Sequence, residues 1–372
     1  MIDYQNRRQK IYDAMAREGI SLLMIEDCEG RRDPALRWLS GHPQDALLYL
    51  SVDRKSLLVP WDINMALLYG KVDMAIPYGE FERLPTAAIM GSSVKLKIPP
   101  GSKIEIPPVT PYPLFLEYVG SIGGSYDIIC REGGLHREIE KLRAVKDEEE
   151  IHIYRRAADI TNEIIDLLEK NVRSGKIRTE SEAALFIESA ARKRGCDGTG
   201  FTTLAAGPER SFGIHAFPPY TAGPFGGKGL SILDFGIKYA GYTTDVTLTF
   251  ARDPNAAQEK LIVLIEKAYK LALSLVADGT GAREIARAVD VLFGKSKKLM
   301  PHGLGHGIGL EEHESPAIRS RSDNQWVLSP GMIFTLEPGL YDPIHGGCRL
   351  ENDILLTGSG AEVLTTARII RL

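Results

Sequence analysis

Cysteine is scarce: four in 372 residues, at Cys28, Cys130, Cys196 and Cys348, with no C-x-x-C spacing. That excludes a disulfide framework and a thiolate-type zinc site, and points to free thiols in a reducing compartment. Excess charge of one sign is also missing. The net charge of −4 gives none of the basic field that a nucleic-acid partner needs. Long hydrophobic runs are absent as well. The most apolar stretch, LALSLVA at 271–277, is far short of a membrane span. The opening MIDYQNRRQK lacks the apolar core of a signal peptide. The expectation is a soluble, cytoplasmic protein without nucleic-acid or membrane partners.

What is present is an ordinary globular balance, 44% apolar and 25% charged, in a chain long enough for two domains. Residues 5–18 read as a helix, and SLLMIE, ALLYLSV and SLLVPW as strands. Proline and glycine crowd 99–113, which reads as a surface loop. Dense alternating charge at 131–150 then marks a boundary, with a new helix starting near Asp147. Beyond it, apolar stripes at helical spacing include Tyr154, Ala157, Ala158, Ile164, Ile165 and Leu168, and then Leu261, Leu264, Ile265, Ala268, Leu271 and Leu275. A further helix is expected over 281–293, and strand pairs over 230–250 and 331–357. Helices interleaved with antiparallel pairs give an α+β domain over 140–372, preceded by a smaller α/β domain over 1–135.

Two pairs of acids stand out. In SILDFGIKYAGYTTDVTLTF, a hairpin centred between residues 239 and 240 sets Asp234 directly opposite Asp245, with Cβ atoms about 5 Å apart. Val246, Leu248 and Phe250 share one strand face, and Asp245 and Thr247 the other. In MIFTLEPGLYDPIHGGCRLENDILLT, a centre at residue 344 opposes Glu337 to Glu351, with Arg349 on the face of Glu351. Opposed like charges are destabilising unless a cation neutralises them. Solvated strand faces could carry one such pair. Two pairs, both set among apolar residues, point instead to divalent cations with oxygen ligands.

PHGLGHGIGLEEHE holds three of the eight histidines, His302, His306 and His313, interleaved with Gly303, Gly305, Gly307 and Gly309. Glycines permit close backbone approach and unusual dihedrals around the rings. The string fits neither G-x-x-x-x-G-K-[ST] nor G-x-G-x-x-G, so a phosphate loop is disfavoured. His215, in SFGIHAFPPY, is a weaker candidate on its own.

LDFG with TTDVT, PHGLGHGIGLEEHE, GMIFTLEPGLY and GCRLEND together resemble the pita-bread metallopeptidases. Within them the proline-specific branch, prolidases (Xaa-Pro dipeptidases) and aminopeptidases P, is the nearest match. The resemblance is strong over about residues 140–372. More weakly, RRQKIYDAMAREGISLLMI and LRWLSG resemble a creatinase-type N-terminal domain. It implies a pita-bread catalytic domain with a dinuclear centre held by Asp234, Asp245, His306, Glu337 and Glu351. In that scheme Asp245 and Glu351 bridge the metals, Asp234 completes one, and His306 with Glu337 the other. His215, His302, His313 and Arg349 fall at substrate-binding positions, and Arg349 also at that of an arginine organising the site beside the bridging glutamate.

The implied activity is hydrolysis of the Xaa-Pro bond at the N-terminus of dipeptides or short peptides, with a hydroxide bridging two metals as nucleophile. Glu337 is then the proton shuttle, and His215 and His313 stabilise the tetrahedral intermediate. Four carboxylates and one imidazole favour manganese or cobalt, with iron or zinc as alternatives. A homodimer is implied as well. Three competing readings are a metal-dependent relative acting on another carbon–nitrogen substrate, a metal-free creatinase-like hydrolase, and a non-catalytic binding module. Three departures from the family pattern bear on the substrate: Leu248 for arginine, Glu312 for a small apolar residue and Asn352 for aspartate.

Overall fold

The computed structural model describes residues 2–372 and falls into two compact units, one ending at Arg143 and the other spanning Ala144–Leu372. The division lies at the end of a helix, Leu135–Ala144, inside the charged stretch 131–150 and a few residues past the gap left between the domains expected over 1–135 and 140–372. The charges of that run coat an amphipathic helix whose Leu135 and Ile139 are buried, so the helix stays with the first unit.

That unit is built on a mixed six-stranded sheet. Its strands are β1 (Leu22–Asp27), β2 (Ala46–Ser51), β3 (Lys55–Pro60), β4 (Met74–Ala75), β5 (Lys103–Ile106) and β6 (Asp127–Cys130), in the order β4-β3-β2-β1-β5-β6. Helices α1 (Tyr4–Glu18), α2 (Pro34–Ser40), α3 (Ile63–Tyr69), α4 (Pro85–Lys95), α5 (Tyr112–Ile122) and α6 (Leu135–Ala144) complete it. Strand β5 corrects the loop expected over 99–113. It pairs in parallel with β1 and β6, with Ile104 and Ile106 fully buried. The prolines bracket the strand and so cost no ladder bond. The buried Glu105 of this strand accepts from Arg131 Nε at 3.1 Å and from the Leu135 amide at 2.5 Å, tying α6 to the sheet.

The second unit starts where the sequence suggests. Asp147 caps α7 (Glu148–Arg173) by accepting from the Glu150 amide at 2.9 Å, while Glu150 accepts from the Asp147 amide at 3.0 Å. Helix α8 (Glu180–Lys193) follows, then the strands β7 (Gly198–Thr199), β8 (Leu204–Ala206), β9 (Gly229–Phe235), β10 (Ile237–Tyr239), β11 (Tyr242–Thr243) and β12 (Val246–Arg252). Helices α9 (Ala256–Ser274) and α10 (Ala282–Lys295) precede β13 (Gly305–Gly307), β14 (Glu314–Ile318), β15 (Ile333–Leu336), β16 (Gly339–Asp342), β17 (Gly346–Arg349), β18 (Asn352–Thr357), β19 (Gly360–Val363) and β20 (Ile369–Arg371). Two sheets, β20-β12-β9-β8 and β14-β13-β15-β18-β19, carry the site. Their apolar faces and the helical stripes form one core, in which Ile164, Leu168, Leu233, Phe250, Ile265, Val289 and Phe334 are fully buried. Each such side chain contributes roughly 1.5–3 kcal/mol. No helix among the described residues is long and apolar enough to cross a membrane.

The two acidic hairpins have different registers. Around 344 the expected centre holds on both sides of the break: Leu336 faces Asn352 on one side and Gly339 faces Arg349 on the other. Glu337 and Glu351 occupy the interval between these ladders. The earlier hairpin is centred one residue later than expected, between Ala240 and Gly241, so Asp234 faces Thr247 and not Asp245. The cause is a two-residue turn in which Ala240 (φ 50°) and Gly241 (φ 88°) are both left-handed. Asp245 keeps the predicted face but is the diagonal neighbour of Asp234.

Candidate metal centre

Five separate chain segments converge on the acids. Asp234 is the penultimate residue of β9, Asp245 immediately precedes β12, His306 lies in β13, Glu337 follows β15, and Glu351 precedes β18. One donor atom each from Asp245, His306 and Glu351 lies within 4.8 Å of the others. Glu337 Oε1 is 3.8 Å from His306 Nε2, and Asp245 Oδ2 is 3.7 Å from the same nitrogen. Asp234 joins through Arg349, whose guanidinium donates to its Oδ2.

His306 is set up as a ligand by its second nitrogen. Its Nδ1 lies 3.1 Å from the Gly307 carbonyl, which can only accept, so the proton sits there and Nε2 presents a lone pair to the acids. Burial, and then His313, press the ring down to about 3, keeping it neutral. The β13–β14 register shifts between His306 and Gly307, a bulge at the ligand histidine. The alternating glycines serve close approach: none of Gly303, Gly305, Gly307 and Gly309 has a left-handed φ. A Cβ on Gly305 would sit 2.0 Å from the Thr335 carbonyl oxygen, and one on Gly307 2.0 Å from that of Ser315. Gly305→Ala is therefore expected to cost about 2–3 kcal/mol, read as a lower midpoint in thermal denaturation. An unchanged midpoint would mean that the strand has slack there.

The carboxylates strain against one another. Burial, followed by Glu351, Asp234, Asp353 and Glu337, holds Asp245 well above the usual carboxylate range. Burial and then Glu351 do the same to Glu337. Glu351 rises to about 7 through burial and then Asp234. Asp234 is also raised by burial, although Arg349 opposes it. Asp234 Oδ1 and Asp245 Oδ1 are buried with no hydrogen-bond partner, which is costly for a carboxylate. Unused oxygen lone pairs, mutually repelling acids and an aimed imidazole nitrogen make a donor set that fits divalent cations.

Around the acids lies a network that the sequence reading only partly named. Thr247 Oγ1 donates to Glu351 Oε2 at 2.7 Å and accepts from Arg349 Nε at 2.8 Å. Asp353, fully buried, accepts the Asp245 amide at 3.2 Å and so holds a residue that has left the ladder. Thr335 Oγ1 accepts the His306 amide at 3.3 Å. Strand parity was the available signal: Thr247 shares the face of Asp245, and Asp353 that of Glu351.

Arg349 is only 2% exposed, and it donates to Asp234, Thr247, the Ile214 carbonyl and the Tyr341 hydroxyl. Its fork is spent on groups within the protein, the arrangement of an arginine that organises its neighbours. Tyr341 in turn lies 3.0 Å from His302 Nε2, whose ring is pressed down to about 4 chiefly by burial. The Nδ1 of His302 is 3.6 Å from Glu337 Oε2. The exposed His313 stands edge-on to His306, with ring centroids 4.2 Å apart. His215 is exposed on a loop, and its charge acts on Asp234 and His302. Of the three departures, Leu248 points into the apolar core. Asn352 bonds the 365–367 segment through Thr365 and Ala367. Glu312, beside His313, reaches the His306 ring through its backbone.

A sequence profile described as metallopeptidase family M24 matches residues 152–358. An uncharacterized peptidase of Methanocaldococcus jannaschii is 32% identical over 258 residues, 69% of this chain and 72% of that protein. A Xaa-Pro dipeptidase of Pyrococcus furiosus is 33% identical over 231 residues, 61% of this chain and 64% of its own length. The crystal structure of recombinant prolidase from Thermococcus sibiricus superimposes with a TM-score of 0.84 at 25% identity, covering 100% of both chains.

Proposed function

Because the chain belongs to metallopeptidase family M24 and has its pita-bread fold, we propose that it is a dinuclear-metal exopeptidase cleaving the Xaa-Pro bond at the N-terminus of dipeptides or short peptides. The reading rests above all on the donor atoms of Asp245, His306 and Glu351 within 4.8 Å of one another. Asp234, Asp245, His306, Glu337 and Glu351 are the residues that would hold the ions, with Asp245 and Glu351 shared between them. Manganese or cobalt suits four oxygens and one imidazole. The Xaa-Pro dipeptidase and prolidase relatives support the substrate class.

Divalent ions bound there would supply a water activated near neutral pH and a Lewis acid for the scissile carbonyl. The chain's own residues do the rest. Glu337, raised in proton affinity by burial and Glu351, takes the proton of the nucleophilic water and delivers it to the proline nitrogen. His215 and His313 donate to the oxygen that gains charge. His302 sits beside Glu337, in position to orient the substrate. Arg349 and Thr247 hold Asp234 and Glu351 in place. The protein is read as a cytoplasmic homodimer.

The test is an assay of Xaa-Pro dipeptides beside Xaa-Pro-Xaa tripeptides and proline-free controls, with manganese or cobalt added. Cleavage before proline, lost on chelation and restored by metal, is expected. If proline peptides survive intact while metal analysis still finds bound ions, the substrate class is wrong and the centre stands.

A further inference from the structure

A cavity of about 600 Å³ lies in the second unit, between α9, the segment after α10 and the tip of the β16–β17 hairpin, and it shares no lining residue with the carboxylate cluster. Its volume is within the range that takes a small organic ligand. Lys260, Val263, Leu264 and Lys267 fall at i, i+3, i+4 and i+7 of α9 and line it together, so they form one stripe of the helix. The stripe is apolar in the middle and cationic at both ends, which are about 10 Å apart along the axis. Lys298, Asp342 and His345 line the cavity with them.

The acids of the cavity are already engaged. Glu259 takes the fork of Arg371 at 2.6 and 2.9 Å. Asp342 accepts the Ile344 and His345 amides at 2.9 and 3.1 Å and faces Lys298 at 3.5 Å. Among the described residues, no ion pair involves Lys260 or Lys267. Two uncompensated ammonium groups flanking Val263, which is 43% exposed, and the half-buried Leu264 are more than a solvated helix face needs. The tip is also anchored to α9, since Gln258 Nε2 donates to the His345 carbonyl at 2.9 Å, so the cavity wall is held in place.

We propose that this cavity is a binding site for an organic dianion with an apolar spacer. One carboxylate meets Lys260, the other Lys267, and the spacer covers Val263 and Leu264. The assignment rests on charge complementarity and the apolar stripe, and it is independent of the metal reading.

Nonanedioate, whose extended chain matches the spacing of the two lysines, is the probe, titrated by calorimetry into the full chain. Succinate, too short to reach both, and nonanoate, with one charge, are the comparisons. Saturable binding at one per chain is expected for nonanedioate, at least tenfold weaker for either comparison. Lys260→Glu and Lys267→Glu should each weaken it tenfold or more, with far-UV dichroism and peptidase activity unchanged. Val263→Asp tests the spacer separately and should weaken nonanedioate more than succinate. No saturable binding, equal binding of succinate, or binding indifferent to both charge reversals overturns the proposal. Loss of a dimer in the charge-reversed variants, without any dicarboxylate binding in the parent, also overturns it, in favour of a second chain on this face.

Discussion

Asp245→Ala should lower kcat/KM by at least about a thousandfold while leaving the protein folded. The size follows from the role assigned to it: ions held at this centre contribute several kcal/mol of transition-state stabilisation, and ~4 kcal/mol is about a factor of 10³. In the proposed ligand scheme Asp245 would serve both ions, so metal content should fall as well. A second consequence separates a ligand from an ordinary buried acid. Asp245 is repelled by Glu351, Asp234, Asp353 and Glu337, and its Oδ1 has no partner. In metal-free protein the isosteric Asp245→Asn should therefore be at least as stable as the parent. With manganese or cobalt present the order should reverse, because the parent gains the binding free energy and the variant does not. Thermal denaturation with and without metal reads both signs. A variant that keeps full activity and both ions would remove Asp245 from the centre.

Arg349→Ala should have the largest effect on stability. The guanidinium is buried between Asp234, Thr247, Tyr341 and the Ile214 carbonyl. Removing it strands the Asp234 carboxylate, at a cost of about 3–5 kcal/mol for a broken buried pair. For a unit of this size that lowers the melting midpoint by on the order of 10 °C. Arg349→Lys should recover only part of the loss, because an ammonium on a flexible stem cannot reproduce the planar fork. Glu351 should suffer through Thr247, which donates to the glutamate while accepting from Arg349 Nε. Both variants should then bind less metal than the parent. If Arg349→Ala melts within a degree of the parent and binds two ions, the network is incidental to the site.

Much of the local structure was legible. The stripes of α7 and α9 follow from 3.6-residue periodicity, and the start of α7 follows from Asp147 and Glu150 three residues apart. The centre at 344 was legible because proline and glycine mark a turn there and the flanking strands alternate cleanly. The other hairpin slipped by one residue, since Ala240 takes a left-handed φ that alanine's presence does not announce. Likewise the prolines around β5 hid a strand whose pairing comes from β1 and β6.

The sequence by itself determined which side chains are offered: four acids on known strand faces, a glycine-flanked His306, and a family pattern joining them. Periodicity tells the side of a strand, not its depth or its neighbours. Only the tertiary structure decided that five segments, spread from 234 to 351, converge on one centre. It also decided that Arg349 is buried with its donors spent on Asp234, Thr247, Tyr341 and the Ile214 carbonyl, and that Leu248 and Asn352 turn away from the centre. Those outcomes depend on long-range packing. Burying four acids and a neutral imidazole together with Arg349 succeeds only where Thr247, Asp353 and the Gly305 contact supply hydrogen bonds and space, and these come from elements that no local reading connects.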